Sequence, residues 1–376
     1  MTAPAKPSLD LLRTLSARHV VAELLAEPLL TRAQIAARTG LSKPTVSECV
    51  KRLEASGVVA DSGQQSTGRG RSGAYYTLRE DFAVGMLVSI GAGGVLVEII
   101  DIRGRSVAEH RVPLAGESPA RIRSLLTHAT GLALDGQSVP VRAASVAVAA
   151  PVDRRRGRVV RVDHSPVDFG DLEPARLLEE VLDCPIRLDN DVNWIARAER
   201  DAGAGRGVDD FLHLYLGEGI GAALVVGGQI HRGWRGLAGE IAGALTGDGS
   251  GRAVRLIDLV AALALTRPGT SAIDVEALHR LIARGGDEAR RVLDGLVTGL
   301  AGVITSASAL LDVERVVLGG PWADLAGLAE GVRQAVEREQ LPARVQRAEV
   351  AGDAVRVGLR GQVQRDLTEV LAPSAP

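Results

Sequence analysis

Aromatic residues are scarce: Phe, Trp and Tyr together make up 2% of the 376 residues, so the cores must be built from Ala, Val, Leu and Ile. Cysteine is scarcer still. Cys49 and Cys184 stand far apart in unrelated contexts, which excludes a disulfide framework and reads as two free thiols in a reducing, cytoplasmic compartment. No run approaches ~20 apolar residues without a charge or a break, so no membrane span is indicated. The segment Met1 to Asp10 lacks the apolar run of a signal peptide. What is present, 46% hydrophobic and 24% charged residues, describes a soluble globular chain long enough for two or three domains.

Neither charge dominates overall, but the halves differ. Residues 1–80 hold 11 Lys/Arg and 7 Asp/Glu, a charge of +4, whereas the remainder holds 33 and 39, a charge of −6. A basic head on an acidic body suggests that the head meets a polyanion.

Apolar residues at Leu12, Leu15, Val20, Leu24 and Leu25 predict a helix over 11–26, ended by Pro28. Thr31 and Gln34 form a capping-box pattern for a second helix over 32–39, which Gly40 stops. Ser42 caps a third, with Pro44 in its first turn, running to about Ser56. Two short capped helices hinged at a glycine form a helix-turn-helix. Ile35, Ala36, Leu41, Val46, Val50 and Leu53 supply its core, leaving Lys43, Thr45, Ser47, Glu48 and Lys51 on the outer face. Such a face enters the major groove, so Thr31, Arg32, Ser42, Lys43, Thr45, Ser47 and Lys51 are the candidate DNA contacts. Strands over 58–60 and 74–78 enclose a loop, Asp61 to Gly73, that reads as a wing. Its Gly68-Arg69-Gly70-Arg71 places Arg69 and Arg71 for a narrow minor groove.

From Phe82 the pattern becomes strands, glycine turns and helices. Three strands over 84–90, 95–101 and 106–112 precede a helix over 119–134 and an apolar run, 143–149. A helix over 173–182, a strand at 186–188 and a helix after Asp191 follow, then a second meander over 211–216, 220–226 and 229–231. Two such units predict an α/β body of two similar lobes with a cleft between them. The apolar stretch Leu293 to Leu311 is a candidate for dimer packing or core burial.

Five segments in order then carry a resemblance: Ala150-Pro151-Val152, Asp189-Asn190-Asp191-Val192-Asn193, Gly217-Glu218-Gly219-Ile220-Gly221, Ala238-Gly239-Glu240-Ile241 and Val317-Leu318-Gly319-Gly320. Through them the chain resembles the ROK family of repressors and sugar kinases, over almost its whole length. The resemblance implies a two-lobed actin-like (sugar-kinase) body behind a winged helix-turn-helix. It sets the divisions at 1–79 for the DNA-binding domain, 80–188 for the first lobe and 189–354 for the second, dimerising lobe. A C-terminal helix at about 355–372 would return to the first lobe.

Departures from the family's pattern bear on chemistry. Asp191 matches the family's catalytic base and Asn190 its sugar-hydroxyl partner, but Ser89 and Gly93 stand where the kinases' first phosphate loop has Asp and Thr. Glu218 replaces the Thr common in the second loop, and a carboxylate there repels a triphosphate. Gly243 occupies the zinc-ligating His position, and no cysteine falls within 245–257, where a flexible glycine loop, 247–251, is expected instead. No catalytic residue, cofactor or metal is therefore assigned. Asn190, Asp191, Glu240 and His164 remain as candidate ligands for a sugar or related small molecule, although Asn190-Asp191 also suits a helix cap.

The function these readings imply is that of a DNA-binding transcriptional regulator, a repressor, bound to an inverted-repeat operator as a homodimer or a dimer of dimers. The alternatives are a constitutive DNA-binding protein whose body only dimerises, and an active sugar kinase.

Overall fold

The computed structural model describes residues 9–65, 73–114, 118–340 and 342–372. Its first three helices are Leu9–Ala26, Arg32–Thr39 and Lys43–Ala55. Both predicted caps form. Thr31 Oγ1 accepts from Gln34 N at 3.3 Å while Gln34 Oε1 accepts from Thr31 N at 2.8 Å, and Ser42 Oγ accepts from Thr45 N at 3.2 Å. Gly40 adopts φ 71° and donates to Ala36 O, turning the chain between the helices in a conformation that side chains resist.

Strands Val59–Gln65 and Ala74–Leu78 pair antiparallel, and the latter also pairs with Leu30–Thr31. The first wing strand therefore runs past Ala60, where the sequence predicts a loop from Asp61. A register shift after Asp61 absorbs the irregular residues, and Asp61 Oδ1 accepts from Gly63 N at 2.9 Å.

Two five-stranded sheets of identical order make up the body. In the first, Val84–Gly91, Gly94–Asp101 and Ser106–Val112 form an antiparallel meander, and Val141–Val148 and Ile186–Asn190 add in parallel beyond Val84–Gly91. The second repeats this with Phe211–Leu216, Ile220–Val226 and Gln229–His231, followed by Arg315–Gly319 and Arg344–Arg347 in parallel. Helix Pro119–Leu134 covers part of the first sheet, and helix Leu328–Arg338 packs on the edge of the second.

The chain crosses between the sheets twice. Helix Asp191–Ala202 leaves the first sheet and packs on Ile220–Val226, and helix Ala354–Leu371 leaves the second and packs on Val84–Gly91 and Val141–Val148. The two helices also pack on each other. Glu98, fully buried in the first sheet, accepts from Arg356 Nε at 2.6 Å and Arg360 at 2.5 Å. Burial alone would raise this carboxyl, but Arg356, Ser106 and Arg360 hold it below the usual glutamate range.

Helix Gly286–Leu311 is long and apolar enough to cross a membrane by composition alone. One side of it, through Val292, Leu296, Leu300 and Ile304, lies in the core of the second lobe. Two local expectations need correcting. Helix Pro174–Glu179 is shorter than the 173–182 span, because the chain turns at Glu180 and Val181, where Val181 N donates to Leu178 O at 3.0 Å. The 247–251 stretch, expected as a loop of its own, is the turn of a short hairpin between Leu245–Gly247 and Ala253–Arg255, with Asp248 Oδ1 accepting from Ser250 N at 2.9 Å.

Candidate DNA-binding face and interlobe cleft

Helix Lys43–Ala55 buries Val46, Cys49, Val50 and Leu53 and exposes Lys43, Thr45, Glu48 and Lys51, with Ser42 at its cap. This is the 3.6-residue periodicity of a helix lying on a core. The hydroxyls of Ser42 and Thr45 bond each other at 2.7 Å, so both sit at the exposed helix N-terminus. Ser47 is half-buried and accepts from Arg32 Nη1 at 3.4 Å. Arg32 also reaches Glu54 at 3.3 Å and lies over the Tyr76 ring, 4.8 Å from its centroid. Its guanidinium thus ties the second helix, the third helix and a wing strand together. Thr31 is buried, with its hydroxyl inside the capping box. Arg69 and Arg71 lie outside the described residues.

Between the two sheets lies a cleft of about 400 Å³, the size of a small-ligand site. The first lobe lines it with Ser89, the turn Gly91–Gly94 and His164, the second with Glu218–Gly221 and Glu240, and Asn190 and Asp191 line it where the chain passes between the lobes. Asn190 Oδ1 and Asp191 Oδ1 each accept from Val192 N at 2.8 Å, so both residues cap helix Asp191–Ala202. The Asn190 amide group and the second Asp191 oxygen remain for a ligand. Burial pushes the Asp191 carboxyl up to about 7, and the neighbouring charge of Glu240 adds to the rise, while the Val192 N–H opposes it. His164 Nε2 stands 3.4 Å from Glu240 Oε2 across the cleft and makes no hydrogen bond, so the pair is close but misaligned. Gly239, at φ 97°, delivers Glu240: a Cβ there would come within 1.9 Å of Ala222 O. The structure therefore brings Asn190, Asp191, His164 and Glu240 together around one cavity.

Residues 86–363 match the ROK family, and residues 14–60 match a winged helix-turn-helix DNA-binding family. The chain belongs to the ROK family. Its fold is a winged helix-turn-helix followed by a sugar-kinase-like ROK body. It is 28% identical over 280 residues to the bifunctional enzyme NanE/NanK of Brucella suis, covering 73% of this chain and 52% of that protein. It is 26% identical over 239 residues to the DNA-binding transcriptional dual regulator NagC of Escherichia coli, covering 62% and 58%. The chain thus spans little more than half the length of these relatives. A crystal structure of a ROK family transcriptional regulator, a homolog of the E. coli MLC protein, superposes with a TM-score of 0.69 at 15% identity, covering 96% of this chain and 98% of that one.

Within the ROK body, several contacts escape a reading of the sequence. Asp189, buried beside Asn190, accepts from Arg232 Nε at 2.8 Å and Nη2 at 2.6 Å, joining the first sheet to the second lobe. Ser271 Oγ lies within reach of the carbonyls of His164 and Ser165, at 3.3 and 3.2 Å. Glu218 accepts from Arg267 Nη2 at 2.8 Å. Asp189, His164 and Glu218 carried a signal in the sequence, whereas their partners Arg232, Ser271 and Arg267 carried none. A Cβ on Gly243 would stand 3.5 Å from His164 Cε1, so the imidazole of the first lobe faces the position where the resemblance expects one from the second. Among the described residues no group of three or more His, Cys, Asp or Glu is placed to hold a metal ion, and the residues around Gly243 do not fit the zinc site of the family's pattern.

Proposed function

We propose that this ROK protein is a DNA-binding transcriptional repressor whose interlobe cleft takes a sugar or related small molecule as effector. One observation carries the reading: a capped helix-turn-helix with an exposed row of Ser42, Lys43, Thr45 and Lys51 is built onto a two-lobed body with a polar cleft. Hydroxyls and amines of that row suit base edges and phosphates. Asn190, Asp191, His164 and Glu240 supply convergent donors and acceptors for ligand hydroxyls. Arg69 and Arg71 of the wing add contacts in the minor groove.

The division of labour follows the chain: residues 1–79 read DNA, 80–188 with the C-terminal helix form the first lobe, and 189–354 form the second lobe and pair two copies. Paired heads call for an inverted-repeat operator. The body performs no phosphoryl transfer in this reading. Ser89 offers a hydroxyl in place of the kinase carboxylate, and the Glu218–Arg267 pair occupies the second phosphate loop. An effector acts by binding the DNA-competent and incompetent states with different affinity.

The test is capture of genomic DNA by the full chain followed by sequencing, with and without a panel of sugars. The expected outcome is one enriched palindrome, weakened by one sugar. Enrichment that no sugar alters would favour the constitutive reading. No enrichment, together with ATP consumption in the presence of a sugar, would establish a kinase.

A further inference from the structure

We infer that Arg103 is the positioning residue that fixes the DNA head on the ROK body, and thereby sets which half-site spacing the paired heads accept. The inference rests on the DNA-binding reading above. Arg103 sits in the tight turn joining Gly94–Asp101 to Ser106–Val112. Asp101 builds that turn from within: its Oδ1 accepts from Arg103 N at 2.8 Å and Arg105 N at 2.9 Å, and its Oδ2 from Arg105 Nε at 2.6 Å. The turn is therefore rigid, and it aims one side chain at the head.

That side chain is 13% exposed, and its Nη1 donates to the carbonyls of Leu24 at 3.2 Å and Leu25 at 3.1 Å. Both lie in the last turn of helix Leu9–Ala26, where carbonyls have no partner further along the helix. A helix C-terminus favours a cation, yet this one has no basic residue in its own last turn. The body supplies it. Glu80, at the junction between head and body, holds the same cluster from the other side, 3.5 Å from Arg103 and 2.6 Å from Arg105. An apolar cluster shared by head and body packs the two together, and the Arg103 contacts add a polar tie at the end of the first helix. Both hydrogen bonds leave the one nitrogen Nη1, which bridges two successive carbonyls and so ties the end of the helix to the turn. Among the described residues, the ion pair between the first helix and the body, Arg18 to Glu369, is long at 3.9 Å and exposed.

The test uses the full chain and two readouts. In the first, the half-sites of the enriched palindrome are moved apart or together in single base-pair steps, each turning one head about the duplex relative to the other. Wild type should lose about tenfold in affinity one step from the optimum; Arg103→Ala should lose about threefold or less, with single half-site affinity unchanged. Arg103→Lys, which keeps a cationic donor on a shorter reach, should fall between them and serves if the alanine variant fails to fold. An Arg103→Ala spacing profile equal to wild type, or a parallel loss of half-site affinity, overturns the inference. The second readout needs no DNA: hydrogen exchange in the last turn of Leu9–Ala26 should quicken about tenfold in Arg103→Ala. Unchanged protection there overturns the inference whatever the chain binds, whereas a wild-type chain that binds no palindrome but shows the quickened exchange loses only the DNA-binding reading.

Discussion

Asp191 and His213 show burial acting on opposite charges. Asp191, lining the cleft, has its carboxyl raised from 3.8 to about 7, chiefly by burial. His213, on the central strand of the second sheet, is fully buried with both ring nitrogens unpartnered, and burial lowers it from 6.5 to about 4. The signs of the two contributions oppose each other. For Asp191 the folded state binds its proton more tightly, so its stabilising contribution is complete below pH 3.8 and lost as pH rises through about 7. For His213 the folded state rejects the proton, so its contribution is present above pH 6.5 and lost as pH falls through about 4. Between pH 4 and 6.5 the two slopes largely cancel. Asp191→Asn should therefore uncover stability that rises with pH across that window, and His213→Leu stability that falls, each by on the order of 2–4 kcal/mol. Urea midpoints at several pH values check this, and variants that keep the wild-type profile would refute the burial argument. The cleft residues themselves were legible because Asn190, Asp191 and Glu240 sit in short motifs. The partner of the adjacent Asp189 was not: Arg232 lies 43 residues away, and no local pattern marks such a pair.

The elements of the head were legible because each boundary has a local cause: a hydroxyl cap at Thr31 and Ser42, a left-handed glycine at Gly40, and apolar spacing within helix Lys43–Ala55. The errors fell where long-range pairing overrides local signal. Strand Val59–Gln65 owes its length to its partner across the wing, and Asp-Ser-Gly-Gln-Gln has no strand signature of its own. The outer row of the third helix makes separable predictions. Lys51→Ala should weaken binding to all sequences alike and lower the slope of log affinity against log salt by about 1. Thr45→Val should change base preference with little effect on non-specific affinity. Ser47 differs from both, because it holds Arg32. Ser47→Ala should alter DNA binding only by loosening the clamp over Tyr76. Titrations at several salt concentrations separate the three, and equal losses on every sequence for Thr45→Val would remove it from base readout.

At the scale of the molecule, head and body share a core. One continuous apolar cluster joins Val20, Leu24 and Leu53 of the head to Leu87 and Ile100 of the first sheet and to Val363 and Leu367 of the C-terminal helix. Leu367 is fully buried there, and Leu367→Ala should cost about 2–5 kcal/mol. Because the cluster is shared, that loss should appear equally in the head and in the body. All three tryptophans lie in the body and Cys49 is buried in the head, so tryptophan fluorescence and thiol labelling of Cys49 in a Cys184→Ser background follow the two parts separately. Their urea midpoints should coincide in wild type and shift together in Leu367→Ala. Separate midpoints would mean that the head unfolds alone.

The shared cluster also bears on how such a regulator could be re-targeted. A head cut off at residue 79 would leave Leu24 and its neighbours without Ile100, Val363 and Leu367, turning part of its interior into a sticky surface. It is not a cassette to be lifted onto another protein. New DNA specificity is better written into the outward row of helix Lys43–Ala55, whose side chains the cluster does not use.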